Sequence, residues 1–391
     1  MNVDYNPMSE PNRSRGVVLT CLLSCSWMKK WLFRIGAAVF LIVIILFAAI
    51  VWSERDSQVL TKYEKNDELP VIKAGWEGNP VDQKDRFIND EHPFVPKMTD
   101  VLKWKVGGNK FKEEKESDKE RLEVKDPAEF LASERDGILW LGHASFFIRL
   151  NGISILTDPI FGNPPLVSRF VEVPSPLENL KAVDYILLSH DHRDHTDETT
   201  LRAVTKKFPN ATILAGLRMD DILNEWKSPS NRLMTAGWYQ EFQTGNDRVK
   251  FFFLPVRHWS RRGFFDTNYR LWGGFIIQSE TATIYFAGDS GFGRHYRETA
   301  ELFPKIDYFL IGIGAYEPRW FMEPNHNTPA EALRAFQDAG ARVLIPMHYG
   351  TFDLSDEPPS WPLKTLIKEA EDAGLREHVR PLAINESIDI Q

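Results

Sequence analysis

Six consecutive residues, His190 to His195, have the sequence HDHRDH and follow the apolar run YILL at 185–188. A short apolar run between polar neighbours is typical of a buried strand, so the six residues form the loop at its end. Three imidazoles and two carboxylates make a poor hydrophobic core, but they are good ligands for a cation. No other part of the sequence restricts the fold as much, because the fold must bring a metal-binding loop to the end of a buried strand.

The pattern His-x-His-x-Asp-His predicts ligands for two metals. Alternating residues of an extended loop point to the same side, so the first two histidines can bind one ion and the Asp-His pair a second. Three further candidates each follow an apolar run, namely KFFFLPVR, TIYFAG and VLIPM. We assign His190, His192 and His258 to one metal, Asp194, His195 and His348 to the other, and Asp289 to both as a bridge. Nitrogen and oxygen ligands without sulfur predict two Zn²⁺ per chain, with Mn²⁺ or Fe²⁺ as alternatives.

From Gly137 onward, short apolar runs alternate with segments of helical periodicity. GILWL, SFFIRL and ISILT predict strands, and Asn151-Gly152 between the last two predicts a tight hairpin. TPAEALRAFQDAG predicts a helix with a threonine cap and a proline at its first position. Two β-rich halves, each with helices to cover it, predict a mixed α/β (α+β) fold, a four-layer αββα sandwich.

The order of these motifs resembles the metallo-β-lactamase superfamily: His-x-His-x-Asp-His, a later histidine, AGDS and MHYG. WLGHASFFI, LTDPIF, RHWSRR, IGAYEPRWFM and MHYGTF are similar to its N-acyl-phosphatidylethanolamine phospholipase D branch, over about Ile138 to Phe352. The resemblance implies the αββα fold and two zinc ions on the seven residues named above. It also implies that a metal-held hydroxide attacks the phosphorus of an N-acyl-phosphatidylethanolamine-like lipid and releases N-acylethanolamine and phosphatidic acid.

Further site residues follow from the resemblance and from the neighbouring loops. Catalytic roles fall on Asp194 and Asp289, and on His326 as a hydrogen-bond donor to the substrate. His143 in WLGHAS and Asp158 in LTDPIF are expected to support the metal ligands by hydrogen bonding. For His143 the alternative is an ordinary turn histidine.

The segment VRHWSRRGFF, residues 256–265, supplies candidate substrate-binding residues: Arg257, Trp259, Arg261 and Arg262. Guanidinium groups hold phosphate well, but a solvated surface loop is the alternative for a run of arginines. Trp259, Phe264 and Phe265 can form an acyl-chain wall or a membrane-facing rim, and core packing is the alternative. For Trp238 and Tyr239 the same alternatives stay open, namely a wall or rim at the site and packing in the core.

Eighteen uncharged residues, Ile35 to Trp52, form an apolar run near the N-terminus. A spanning helix needs roughly 20 apolar residues, with ~17 as the lower limit, so the run predicts a membrane anchor. A cleaved signal peptide is the alternative. Lys29, Lys30 and Arg34 precede the run, and Glu54 and Asp56 follow it, which predicts a cytoplasmic N-terminus and an extracytoplasmic catalytic domain. The expected order is a cytoplasmic segment 1–34, a transmembrane anchor 35–52, a linker and strap 53–136 and a hydrolase domain 137–391, in a single-pass protein of the inner (plasma) membrane.

The net charge of −8 disfavours a nucleic-acid binder, which would hold phosphates with a surplus of basic residues. The expected partners are a phospholipid or another small-molecule substrate and the membrane; whether the chain forms a homodimer stays open. Both cysteines, Cys21 and Cys25, precede the domain, so it contains no disulfide and no cysteine ligand. One alternative function is hydrolysis of a lactone or β-lactam by the same centre. Another is a membrane scaffold without activity, against which the complete ligand set argues.

Overall fold

The apolar runs after residue 137 form two large β-sheets. A computed structural model describes residues 17–53, 59–89, 91–172 and 176–390, in two compact units, Met1–Arg55 and Asp56–Gln391. The strands among the described residues are β1 (Leu60–Glu64), β2 (Asn79–Asp82), β3 (Gly137–Gly142), β4 (Ser145–Leu150), β5 (Ile153–Thr157), β6 (Tyr185–Leu188), β7 (Thr212–Gly216), β8 (Leu233–Ala236), β9 (Gln240–Glu241), β10 (Val249–Leu254), β11 (Gly274–Ser279), β12 (Thr283–Phe286), β13 (Ile306–Gly312), β14 (Ala341–Met347) and β15 (Ser387–Asp389).

The α-helices among the described residues cover the sheets or precede them. They are α1 (Val17–Ser53), α2 (Met98–Gly107), α3 (Lys112–Ser117), α4 (Ala128–Ala132), α5 (Glu198–Lys207), α6 (Asp220–Trp226), α7 (His295–Leu302), α8 (Arg319–Met322), α9 (Pro329–Asp338) and α10 (Trp361–Asp372). α9 begins as the sequence predicts: the Thr328 hydroxyl accepts from the backbone of Glu331, and the Glu331 side chain accepts from the backbone of Thr328.

One sheet has the strand order β15-β3-β4-β5-β6-β7-β8. β4 and β5 form the predicted hairpin, in which Asn151 and Gly152 have φ angles of 48° and 70°. From β5 to β8 the strands run parallel, so their carboxyl ends lie at one edge. The other sheet has the order β14-β13-β12-β11-β10-β9, and β12, β13 and β14 are parallel in it.

Two hydrophobic cores confirm the predicted four-layer sandwich. Alternation along β3 and β4 sends Trp140 and Phe146 into the core between the sheets, where they join residues of the second sheet such as Phe253. The opposite face sends Leu139 and Phe147 into a core shared with helices α4, α5 and α6. Helices α9 and α10 cover the outer face of the second sheet through residues of the first core. The layers are therefore helix, sheet, sheet and helix.

The described part of the strap, residues 59–89 and 91–136, packs on the sandwich. Leu69, Val81 and Phe87 belong to the core between the sheets. β1 and β2 pair with each other, and the Ile72 backbone amide donates to the Tyr239 carbonyl over 2.8 Å. The assignment of residues 53–136 as a region distinct from the hydrolase domain stays a prediction.

The N-terminal unit contains helix α1, whose stretch Met28–Ala49 is long and apolar enough to cross a membrane. A signal sequence near the N-terminus has the same length and composition. The predicted span Ile35–Trp52 overlaps this stretch but begins later. Glu54 and Asp56, on which the predicted orientation partly rests, lie outside the described residues.

Candidate metal centre

The seven predicted metal ligands lie in loops that follow strands β6, β10, β12 and β14. The loop after β6 turns tightly, because the backbone amides of His195 and Thr196 both donate to the His192 carbonyl, and the Thr196 hydroxyl donates to the His190 carbonyl. His348 follows β14 directly and adopts a φ of 61°, which is unusual for a residue with a side chain. Because β6, β12 and β14 lie within parallel parts of their sheets, their carboxyl ends bring these loops to one edge of the sandwich.

Three histidines form the first group of ligands. The Nε2 atom of His190 lies 2.9 Å from Nδ1 of His192, and that Nδ1 lies 3.1 Å from Nε2 of His258. His190 and His258 are buried, and His192 is half-buried. Their ring nitrogens therefore meet at one point, as a shared ion requires.

The second group contains two carboxylates and two imidazoles. Oδ2 of Asp289 lies 3.2 Å from Nε2 of His195 and 3.1 Å from Nε2 of His348. Oδ2 of Asp194 lies 3.5 Å and 3.7 Å from the same two nitrogens. Asp289 also lies 3.8 Å from Nε2 of His258 in the first group, so it stands between the groups.

The donor atoms fit metal ions. Nε2 of His195, Nε2 of His348 and Oδ1 of Asp289 are buried and have no hydrogen-bond partner among the described residues. Buried polar atoms without partners are costly, and a bound cation would satisfy these. Imidazole and carboxylate donors without thiolate suit zinc and also manganese or iron. The clusters are therefore able to hold metal.

The pKa shifts leave most of these groups in the forms that bind cations. Burial lowers the pKa of His190 and of His258 well below the ordinary value, and that of His192 to about 4. Burial opposes the charged carboxylates, but the imidazoles, His195 foremost, hold the pKa of both Asp194 and Asp289 well below the usual range. Metal binding requires neutral imidazole and ionised carboxylate.

Asp158, predicted to support the ligands, lies fully buried behind His195. Its Oδ2 atom is 2.7 Å from Nδ1 of His195 and accepts from the Ser189 hydroxyl over 2.5 Å, while Oδ1 accepts from the Ser189 backbone amide over 2.8 Å. The contact fixes which nitrogen of His195 faces the cluster. Sequence reasoning missed Ser189, whose hydroxyl also lies 2.9 Å from Nδ1 of His190.

His143, the other predicted support, is also buried. Its Nε2 lies 3.0 Å from Oδ2 of Asp194, and its carbonyl accepts from the backbone amide of His348. Burial lowers the pKa of His143 to about 3. His143 therefore contacts a carboxylate of the second ligand group and the loop that carries His348.

A cavity of about 170 Å³ opens over the cluster. His326 lines it, with Nδ1 3.9 Å from Oδ2 of Asp289, and burial lowers the pKa of His326 to about 4. Trp259 lines it as well, with its ring 4.4 Å from the ring of His192. Sequence reasoning missed most of the apolar lining, namely Phe94, Pro96, Phe321, Met322 and Leu354. Of these, only Phe321 and Met322 lie within a motif that the resemblance had marked.

The three arginines predicted to bind substrate do not line this cavity, and a role for them in substrate binding stays a prediction. Arg257 directs its guanidinium to the Phe292 carbonyl and to Glu323. Arg262 donates to the backbone carbonyls of Asp191 and Thr196, over 3.0 and 2.7 Å, so it supports the ligand loop from outside. The Arg261 guanidinium donates to the Gly263 carbonyl in its own loop.

The aromatic residues whose surroundings were left open divide into two groups. Trp238 and Tyr239 are buried in the core. Phe264 and Phe265 are 69% and 64% exposed. Core packing therefore accounts for the first pair and not for the second.

Comparison with known proteins matches the chain to a family and to individual relatives. A family model described as a beta-lactamase superfamily domain matches residues 154–349. The chain is 31% identical over 250 residues to the N-acyl-phosphatidylethanolamine-hydrolyzing phospholipase D 1 of Caenorhabditis elegans, a match that covers 60% of this chain and 69% of the relative. It is 32% identical over 221 residues to a metal-dependent hydrolase of Caldivirga maquilingensis, over 56% of this chain and 85% of that protein.

Solved structures agree on the fold. Igni18, a metallo hydrolase from the archaeon Ignicoccus hospitalis, aligns with a TM-score of 0.50 at 22% identity and covers 66% of this chain and 98% of that one. The likeness concerns the fold alone, because the sequences are distant.

Proposed function

Because this chain belongs to the beta-lactamase superfamily and is a metal-dependent hydrolase of that fold, we propose that it is a membrane-anchored dinuclear zinc phosphodiesterase. The enzyme would hydrolyse N-acyl-phosphatidylethanolamine-like lipids in a reaction of the phospholipase D type. The products would be N-acylethanolamine and phosphatidic acid. The observation that carries the proposal is the convergence of seven imidazole and carboxylate side chains under a largely apolar cavity. The name of the nematode relative supports the lipid.

The chain's own residues define what the site does. One zinc ion would be held by His190, His192 and His258, and the other by Asp194, His195 and His348. Asp289 would bind both ions. Bound zinc would supply a nucleophile at neutral pH and stabilise charge on phosphoryl oxygens. His326 faces the cavity as a neutral imidazole, since its pKa is about 4. A neutral imidazole can donate one hydrogen bond to an oxygen of the bound phosphate.

The charge of the cavity supports a diester. Within the described part of the chain, none of its lining residues is a lysine or an arginine. A phosphodiester carries one negative charge, whereas a phosphomonoester carries about −1.5 to −2 at pH 7. Asp194 and Asp289 would be bound to the metals, so the described lining offers no cationic side chain to balance a second negative charge, and the less charged diester fits better.

The reaction can be tested on the zinc-loaded full chain in mixed micelles that contain N-acyl-phosphatidylethanolamine. We expect phosphatidic acid and N-acylethanolamine in equal amounts. Asp289→Asn should abolish their release. Asp307→Asn, which changes a buried aspartate at the start of β13, should not. Hydrolysis of simple lactones without any lipid hydrolysis would refute the phosphodiesterase proposal.

We also propose that helix α1 anchors the chain in the inner (plasma) membrane, with the catalytic domain outside the cytoplasm. The apolar stretch Met28–Ala49, with Lys29, Lys30 and Arg34 near its start, supports this orientation. We expect the uncleaved chain to stay with the membranes during alkaline extraction. Protease added to spheroplasts should remove the catalytic domain, because that domain would lie outside the cytoplasm. A mature protein that begins after this stretch would instead identify a signal peptide.

A further inference from the structure

A part of the strap forms one wall of the cavity. Phe94 and Pro96 line the cavity that also contains His192 and Asp289. The family model matches residues 154–349, so both wall residues lie outside the matched region. The wall therefore comes from a segment outside the part of the chain that the family model matches.

Buried asparagines attach this wall to the sandwich. Asn268, which is fully buried, donates from Nδ2 to the Phe94 carbonyl over 2.8 Å. The backbone carbonyl of Asn268 accepts from the backbone amide of Phe87. Asn89 donates from Nδ2 to the Val256 carbonyl over 2.9 Å. Both attachments reach the segment that carries the metal ligand His258. The wall therefore has a fixed position relative to the cluster.

The wall continues as an apolar surface up to the ligands. The centre of the Phe94 ring lies 6.5 Å from the centre of the Trp259 ring, with the rings edge to face. The centre of the Trp259 ring lies 4.4 Å from the centre of the His192 ring. Phe321 and Met322 of α8 line the same cavity. An apolar group bound against Trp259 would therefore lie beside His192 of the first ligand group.

We propose that Phe94, Pro96 and Trp259 form a subsite for an apolar chain attached close to the scissile bond. The inference rests on the proposed function. It adds to that function a binding site for the acylated headgroup at this wall. The cavity, at about 170 Å³, is smaller than the roughly 300–1,000 Å³ of sites that enclose a drug-sized ligand. Only the part of a two-chain lipid next to the phosphate enters it, and the subsite distinguishes an acylated headgroup from a bare one.

The test compares two substrates in three variants. Phe94→Ala removes the aromatic ring from the wall. Phe94→Leu keeps an apolar side chain there and is the alternative variant if the alanine variant does not fold. Phe111→Ala is the matched control, because Phe111 also lies in the strap but packs against Trp361, away from the cavity. The ratio of kcat/KM for N-acyl-phosphatidylethanolamine to that for phosphatidylethanolamine should fall about tenfold in Phe94→Ala, less in Phe94→Leu, and stay constant in Phe111→Ala.

Binding of N-octanoylethanolamine, measured by titration calorimetry, gives a readout that needs no turnover. Its affinity should fall about tenfold in Phe94→Ala and remain unchanged in Phe111→Ala. If the wild type hydrolyses neither lipid but this dependence on Phe94 holds, the proposed function fails and the subsite stands. If folded Phe94 variants bind the probe as tightly as Phe111→Ala does, the subsite is refuted, whatever the enzyme hydrolyses.

Discussion

Asp158→Asn should weaken metal binding without unfolding the protein. The Asp158 carboxylate accepts from the hydroxyl and the backbone amide of Ser189, and its Oδ2 lies 2.7 Å from Nδ1 of His195. An asparagine of the same shape has one acceptor oxygen and one NH₂ group. Whichever way the amide turns, its NH₂ group faces a hydrogen-bond donor, either at His195 or at the Ser189 amide.

The size of the effect follows from burial. Asp158 is fully buried, and an unsatisfied buried donor costs ~1–3 kcal/mol. Since about 1.4 kcal/mol is a factor of ten in an equilibrium constant, zinc affinity should fall by roughly 10–100-fold. The same range applies to other residues that hydrogen-bond to metal-binding histidines.

Competition with a chelator of known zinc affinity measures this change, and circular dichroism checks the fold. Asp307→Asn is the control, because Asp307 is also buried and accepts a backbone hydrogen bond, from Thr283 over 3.0 Å, but lies at the opposite end of its sheet from the cluster. A folded Asp158→Asn variant with wild-type zinc affinity would refute the role of Asp158.

Three smaller changes test other parts of the structure. Arg262→Met should lower zinc affinity and leave KM of the metal-loaded enzyme unchanged, because Arg262 supports the ligand loop and does not line the cavity; a raised KM with full zinc occupancy would contradict this. Thr328→Ala removes the hydroxyl cap of α9 and should cost about 1 kcal/mol in chemical denaturation, whereas Thr281→Ala, in an exposed turn, should cost less. Gly152→Ala should destabilise by about 1 kcal/mol, because Gly152 has a φ of 70°; equal stability would show that the hairpin turn relaxes.

The sequence was sufficient for the fold and for the elements that carry the ligands. β6, β12 and β14 are short apolar runs, and each ends shortly before a predicted metal ligand. Because each of these residues follows an apolar run, they could be grouped before their distances were known. The hairpin at Asn151-Gly152 and the cap of α9 were predictable because both depend on local chemistry.

The surroundings of the cluster depend on contacts that no local pattern records. Arg262 lies near the site in sequence, yet its guanidinium turns to backbone carbonyls of the ligand loop. Any loop offers such carbonyls, so the sequence could not distinguish this partner from a phosphate. Phe94 lines the cavity from another segment, and Asn268, far along the chain, holds its carbonyl. Side chains that line a site from a distant segment carry no signal in their own segment.

We propose that seven side chains hold two transition metals in one chain. Elemental analysis of the full chain, purified without chelator and dialysed against trace-metal-free buffer, tests it directly. We expect about two transition-metal ions per chain in the wild type, zinc foremost, and fewer than one when His190 and His348 are both replaced by alanine. Well under one ion per chain in the wild type, after supply of zinc in excess, would contradict it.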